Sequence, residues 1–155
     1  MLSANEQGRA VIGTKVTVGR VKGVLRSHDE AAALGVIDTR VRGLVEAFNV
    51  HGVVSSISSC EGHRYLGLPI RRPPFVSFFT TPSIAARLAA RIRRDQEGPT
   101  TLHHYWKVSG TFNTENILLF TLDSPVKFYW RRKLDADIAR LRSWAEEIFQ
   151  PGPFQ

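Results

Sequence analysis

At 155 residues the chain is most simply one domain, long enough to build its own core. Hydrophobic content of 43% and charged content of 23% are those of a globular protein, and no apolar run approaches the roughly 20 residues a membrane helix needs. Lys and Arg total 21 against 14 Asp and Glu, a formal net charge of +7. That charge serves solubility, and it also favours polyanionic partners: RNA, a ribonucleoprotein, or an acidic protein surface. Arginine dominates it, and a guanidinium both clamps phosphate and stacks on bases. One cysteine makes no internal disulfide and the N-terminal MLSANEQGR has no apolar signal core, so the expected location is the cytoplasm.

The expected elements follow in chain order. Residues 1–28 carry Arg9, Lys15, Arg20, Lys22 and Arg26 against Glu6, and within them Val16 and Val18 alternate with Thr17 before Gly19 and Gly23. This predicts a basic hairpin or arm with a bulge at the glycines. A brief helix is expected from His28 to Gly35. Asp38 is placed as the cap of a clearer helix, in which Val41, Leu44, Val45 and Phe48 form one apolar stripe. Residues 53–59 predict a strand. Residues 63–74 read as a loop, with Arg64, Arg71 and Arg72 among prolines, and 75–79 as a short buried strand.

Thr81 followed by Pro82 marks a helix start. Ile84, Leu88 and Ile92 point that helix inward, while Arg87, Arg91 and Arg94 form a basic ridge, either a solvated face or an anion contact. Leu102 to Val108 alternates like a strand. Asn116 to Asp123 is apolar on both faces and is expected to be the central strand. Residues 126–133, VKFYWRRK, interleave Phe128, Tyr129 and Trp130 with Lys127, Arg131, Arg132 and Lys133. The last helix is expected to start near Asp135, with Leu134, Ile138, Leu141, Ala145 and Ile148 inward. The fold class is therefore α/β (mixed α+β): one domain over 1–155, with an N-terminal arm over 1–28 and a core over 38–150. Its centre is a mixed sheet with helices packed on it.

Three chemistries compete. Ser58, Ser59, Cys60, Glu61, Gly62 and His63 bring hydroxyls, the thiol, a carboxylate, a permissive glycine and an imidazole into six residues. The segment reads either as a ligand loop or as a strand end with a Ser/Gly turn. Zinc would take Cys60, His63 and one of His103 and His104, since adjacent residues on a strand face opposite ways. Three ligands fall short of a structural site, so no metal is expected. A Cys60–His63 thiolate pair lacks a helix N-terminus to lower its pKa, and no P-loop or G-x-G-x-x-G is present, so no catalytic residue is assigned. Nucleic acid is the third option. Phosphate contacts would come from Arg71, Arg72, Arg87, Arg91 and Arg94, and from Lys127, Arg131 and Arg132. Phe128 and Trp130 would stack on unpaired bases, unless they are core.

The helix with Asp38, Arg40, Val41, Leu44 and Val45, leading into VVSSISSCEGH, resembles the wybutosine-synthesising tRNA methyltransferases, the family of the third enzyme in that pathway. Glu61 stands where that family has a serine and His63 where it has an arginine. The resemblance implies an α/β fold, S-adenosylmethionine as cofactor, methylation of a tRNA guanosine derivative, and 58–63 as the ligand loop. The SSCEGH segment, with the strand Pro74-Phe75-Val76 after it, also resembles small proteins of bacterial mobile elements. That likeness implies an accessory role, including interference with a host RNA-guided, CRISPR-type defence complex. The leading expectation is a non-catalytic binder of RNA or a ribonucleoprotein, with no cofactor. The alternatives are an S-adenosylmethionine-dependent tRNA methyltransferase and a structural protein that binds an acidic protein surface.

Overall fold

The computed structural model describes residues 17–21, 24–27, 37–62, 73–126 and 128–151, the first two segments as backbone strands. The helix expected after His28, the loop 63–72 with His63, Arg71 and Arg72, and Lys127 lie outside the described residues. Strands β1 (Thr17–Val21) and β2 (Val24–Ser27) pair antiparallel, with a register shift between Thr17 and Arg20, where Gly19 predicts a bulge.

Helix α1 covers Arg42–Ala47 and buries Leu44, Val45 and Ala47. Asp38 does not cap it. The residue before the first turn is Val41, without a side-chain cap, and the Asp38 carboxylate is used elsewhere, as shown below. The chain then turns at Gly52, whose φ of +72° suits glycine, into β3 (Val54–Cys60). Asn49 fastens the turn: its amide donates to Val45 O and Ser56 Oγ, and its carbonyl accepts from Ser56 N.

Strand β4 (Phe75–Thr80) alternates cleanly: Val76, Phe78 and Thr80 are buried, while Phe75, Ser77 and Phe79 are half-buried on the other face. Thr81 caps helix α2 (Pro82–Glu97), its Oγ1 accepting from Ile84 N at 3.3 Å with Pro82 in the first turn, as the sequence predicts. Strands β5 (Lys107–Phe112) and β6 (Leu118–Asp123) form a hairpin closed by Asn113, whose side chain accepts from Glu115 N and Ile117 N. Helix α3 (Arg131–Ile148) completes the core.

A four-stranded sheet of order β3-β4-β6-β5 carries the fold, with helices packed on it. Every pairing in it is antiparallel, where a mixed sheet was expected. The reason is a split crossover. The α2 connection brings β5 back parallel to β4, as a helical crossover does, but not beside it. Strand β6 folds back into the gap and pairs with both. β6 is thus central, as its apolar run predicts. The helices cover the face bearing Val76, Phe78, Phe120 and Leu122. There Phe78 meets Phe48 and Phe149 with ring centroids 4.7 and 6.4 Å apart.

Among the described residues no helix is long and apolar enough to cross a membrane. Replacing Thr81 by Ala removes the side-chain acceptor of Ile84 N at the start of α2. Urea denaturation should record a loss of about 1 kcal/mol.

Candidate nucleic-acid interface

One edge of the sheet gathers the residues singled out by the sequence. Cys60, Phe75, Asp123 and Lys107 are in register across β3, β4, β6 and β5. The entry to α3 meets the same edge. Four strand ends and a helix start are therefore neighbours here.

Two helical carboxylates build this edge. Asp95 lies on the inward stripe of α2, seven residues after Leu88, and Asp137 lies on that of α3, three after Leu134. Asp95 accepts from Thr101 N, Thr101 Oγ1 and Leu102 N. Asp137, 1% exposed, accepts from His103 N at 2.7 Å, His104 N at 2.9 Å, His104 Nδ1 at 2.9 Å and Trp106 Nε1 at 3.1 Å. Buried charge is tolerated only with such a full set of donors. The strand expected over Leu102–Val108 consequently begins only at Lys107. The amides of 101–104 are committed to carboxylates and cannot join a ladder. The alternation of faces survives, with Leu102 and Trp106 inward and His103 and Tyr105 outward.

His104 carries the connection onward. Its ring meets Tyr129 edge to face, with centroids 6.5 Å apart. Tyr129 is buried, and its hydroxyl accepts from Arg131 Nη2 at 2.9 Å. Arg131 spends the rest of its guanidinium on the carbonyls of Glu61 and Gly62, and it lies 3.8 Å from Asp135. This arginine, a candidate partner contact by sequence, is turned inward to hold the Cys60 turn.

The turn itself is tightly fastened. The Asp38 carboxylate accepts from Glu61 N, and the Glu61 carboxylate accepts from Arg40 N, each at 3.0 Å. Gly62 has φ of +81°, and a Cβ there would come within 3.1 Å of Pro74. Its amide donates to Cys60 Sγ at 3.4 Å, and Cys60 is buried. Ser58 and Ser59 are half-buried in β3, Ser58 in register with Ser77 beyond a bulge at Ile57. Among the described residues no group of three or more His, Cys, Asp or Glu side chains is placed to hold a metal ion, and the imidazole of His104 is committed to Asp137.

What faces solvent at this edge is aromatic and basic. Phe128 is 61% exposed, Trp130 72% and Tyr105 56%. The buried Tyr129 holds the backbone between the first two, and the Tyr105 carbonyl accepts from Ser124 Oγ at 2.6 Å. Arg132 and Lys133 are exposed in the first turn of α3, which holds no acidic residue. Two cations at the positive end of a helix repel its dipole, so this turn attracts anions. On α2, Arg87 and Arg94 are exposed and form no ion pair with any described residue, whereas Arg91 lies half-buried over Trp144, 4.1 Å from the ring centroid. Arg40 and Arg142, by contrast, are paired with Asp135 and Glu146. The sequence did not single out Asp95, Asp137 or Tyr105. The readable signal for the two acids was a carboxylate on an otherwise apolar helical stripe.

No family model, curated protein or solved structure matches the chain.

Asp137→Ala should remove the acceptor of four donors, the Trp106 indole N–H among them fully buried, and cost about 3–5 kcal/mol in urea denaturation, with Asp137→Asn losing less. Asp95 gives a pH signature. Burial acts to raise its carboxyl pKa, but the Thr101 hydroxyl, the Leu102 and Thr101 amides and the Arg91 charge together hold it below the ordinary value. A depressed folded-state pKa means that the stabilisation is complete above the unfolded value and is lost as pH falls through the folded one. Melting temperature should therefore drop below about pH 4, and Asp95→Asn should flatten that drop.

Proposed function

We propose that the protein is a non-catalytic binder of unpaired RNA, free or exposed on a ribonucleoprotein, which it engages at the aromatic and basic edge of the sheet. The observation that carries this reading is the exposure of Phe128 and Trp130 beside Arg132 and Lys133. The same aromatics could have been core. Large rings held in water cost solvation unless a partner covers them, and rings interleaved with cations suit a base stack with its phosphates. Tyr105 extends the aromatic surface. Arg94 sits beside Asp95 and hence near this edge; Arg87, two turns earlier and about 10 Å away along α2, extends the positive surface. The net charge of +7 supplies long-range attraction.

The Ser58–Gly62 segment is given a structural role. Its backbone carbonyls and amides are taken by Arg131, Asp38 and Cys60, and it holds the start of α3 against the sheet.

Fluorescence-anisotropy titrations of single-stranded RNA at several salt concentrations separate the two components. Phe128→Ala with Trp130→Ala should weaken binding by about 1–3 kcal/mol per lost stack while leaving the salt slope unchanged. Arg132→Ala with Lys133→Ala should flatten the log K against log salt slope by about 1.4, two phosphates at 0.7 each. Parental affinity and slope in both variants would rule the reading out.

A further inference from the structure

The two edges of the sheet differ in their protection. Strand β1 lies against β3, and β3 also carries the bulge at Ile57. At the other end β5 pairs with β6 alone among the described residues. Its register runs without a shift, it holds no proline, and Lys107 is its only charge. Bulges, prolines and charges are the devices that keep a free edge from pairing. Every residue of β5 is exposed except the half-buried Val108, and Phe112 is 68% exposed. The direction of its backbone groups follows from two bonds: Asn113 N donates to Ile117 O, and on the far side of β6 Ser124 N donates to Pro74 O. Antiparallel bonding alternates along a strand, so Lys107, Ser109 and Thr111 bond to β6. Val108, Gly110 and Phe112 turn their N–H and C=O groups off the sheet. The side chains of that second set lie on the helix-covered face, in register with Leu122, Phe120 and Leu118.

We infer that β5 is a self-association edge: it pairs antiparallel with β5 of a second copy of this chain, about a two-fold axis at Gly110. In that register Val108 faces Phe112 of the second copy and Gly110 faces its own counterpart. Each outward N–H and C=O then meets a complementary group. The Phe112 ring of each copy leaves water to lie across Val108 of the other and over the bare Gly110 between them. A Cβ at Gly110 would come within 3.3 Å of the Phe120 ring, so the packing behind the strand keeps this centre free of a side chain. On the opposite face Ser109 meets Thr111, and Lys107 meets Asn113 in place of another Lys107, so no like charges oppose each other. A slip of the pairing in one direction engages Trp106, which is buried and whose carbonyl accepts from Gln96; in the other it runs past the strand end to Thr114. A second copy is the occupant because the strand complements itself in backbone groups, ring against aliphatic side chain, and charge. The inference stands apart from the RNA-binding reading, since it uses none of the residues that carry it.

Sedimentation velocity on the full chain, over rising protein concentration, should show conversion to twice the chain mass. Added salt should favour that dimer, because two chains of formal charge +7 repel, whereas it weakens RNA binding. Phe112→Pro removes the ring and an outward donor while leaving the bonds of Ser109 and Thr111 to β6, so it should raise the dissociation constant about tenfold or more. Circular dichroism checks that this variant folds. Cysteines read the register. Chains with Ser109→Cys mixed with chains with Thr111→Cys should form a disulfide dimer on mild oxidation, because the two positions face each other across the axis with Cα atoms about 4.5 Å apart. Either chain alone should cross-link more slowly, and the native Cys60 is buried. A parent that stays monomeric at every concentration, or a mixture that cross-links no faster than its separate chains, overturns the pairing. So does a folded Phe112→Pro that dimerises like the parent; if that variant does not fold, the cross-link decides alone.

Discussion

Two carboxylates on the inner stripes of the long helices hold the rest in place. Asp95 and Asp137 reach the connecting segment 101–106 from two sides and take the amides of 101–104, an imidazole N–H and an indole N–H. The segment has no ladder of its own, so without these acceptors its buried donors would lack partners. Fixing it sets where β5 begins, presents Tyr105 outward, and seats Trp106 in the core. Through His104 it also meets Tyr129, whose hydroxyl accepts from Arg131 at the start of α3.

The basic cluster before and within α3 divides its labour according to geometry. Arg131 reaches back to two carbonyls of the turn after β3, while Arg132 and Lys133 remain in water. A guanidinium suits the inward task because its planar fork meets two carbonyls and a phenol at once. The same turn is held from the other side by two backbone-to-carboxylate bonds, Glu61 N to Asp38 and Arg40 N to Glu61, across 23 and 21 residues of sequence. The thiol-bearing segment is thus a fastening between the first helix, the sheet and the last helix.

Placing β6 between β4 and β5 has a chemical consequence. It aligns the ends of all four strands at one edge and leaves a face on which Phe75, Asp123, Lys107 and a row of hydroxyls stand in register. The rings at 105, 128 and 130 are exposed.

Much of the scaffold was legible in the residues alone. The Thr81–Pro82 start of α2, the stripe of Leu134, Ile138, Leu141 and Ala145, the centrality of 118–123, the bulge near Gly19 and the positive φ of Gly62 follow from local rules, since periodicity, capping and backbone sterics act over a few residues. The surplus of arginine was equally plain. Tertiary structure alone decided the rest. Asp38 left its expected cap because Glu61 offered an amide from a distant strand. Residues 102–106 gave up strand pairing because two helices carried acceptors to them, and β6 took the gap that would have made the sheet mixed. Whether Phe128 and Trp130 were core or surface depended on Tyr129 being the ring that His104 and Arg131 hold inside. Each of these outcomes turns on which distant group meets a given side chain, and sequence spacing carries no record of that meeting.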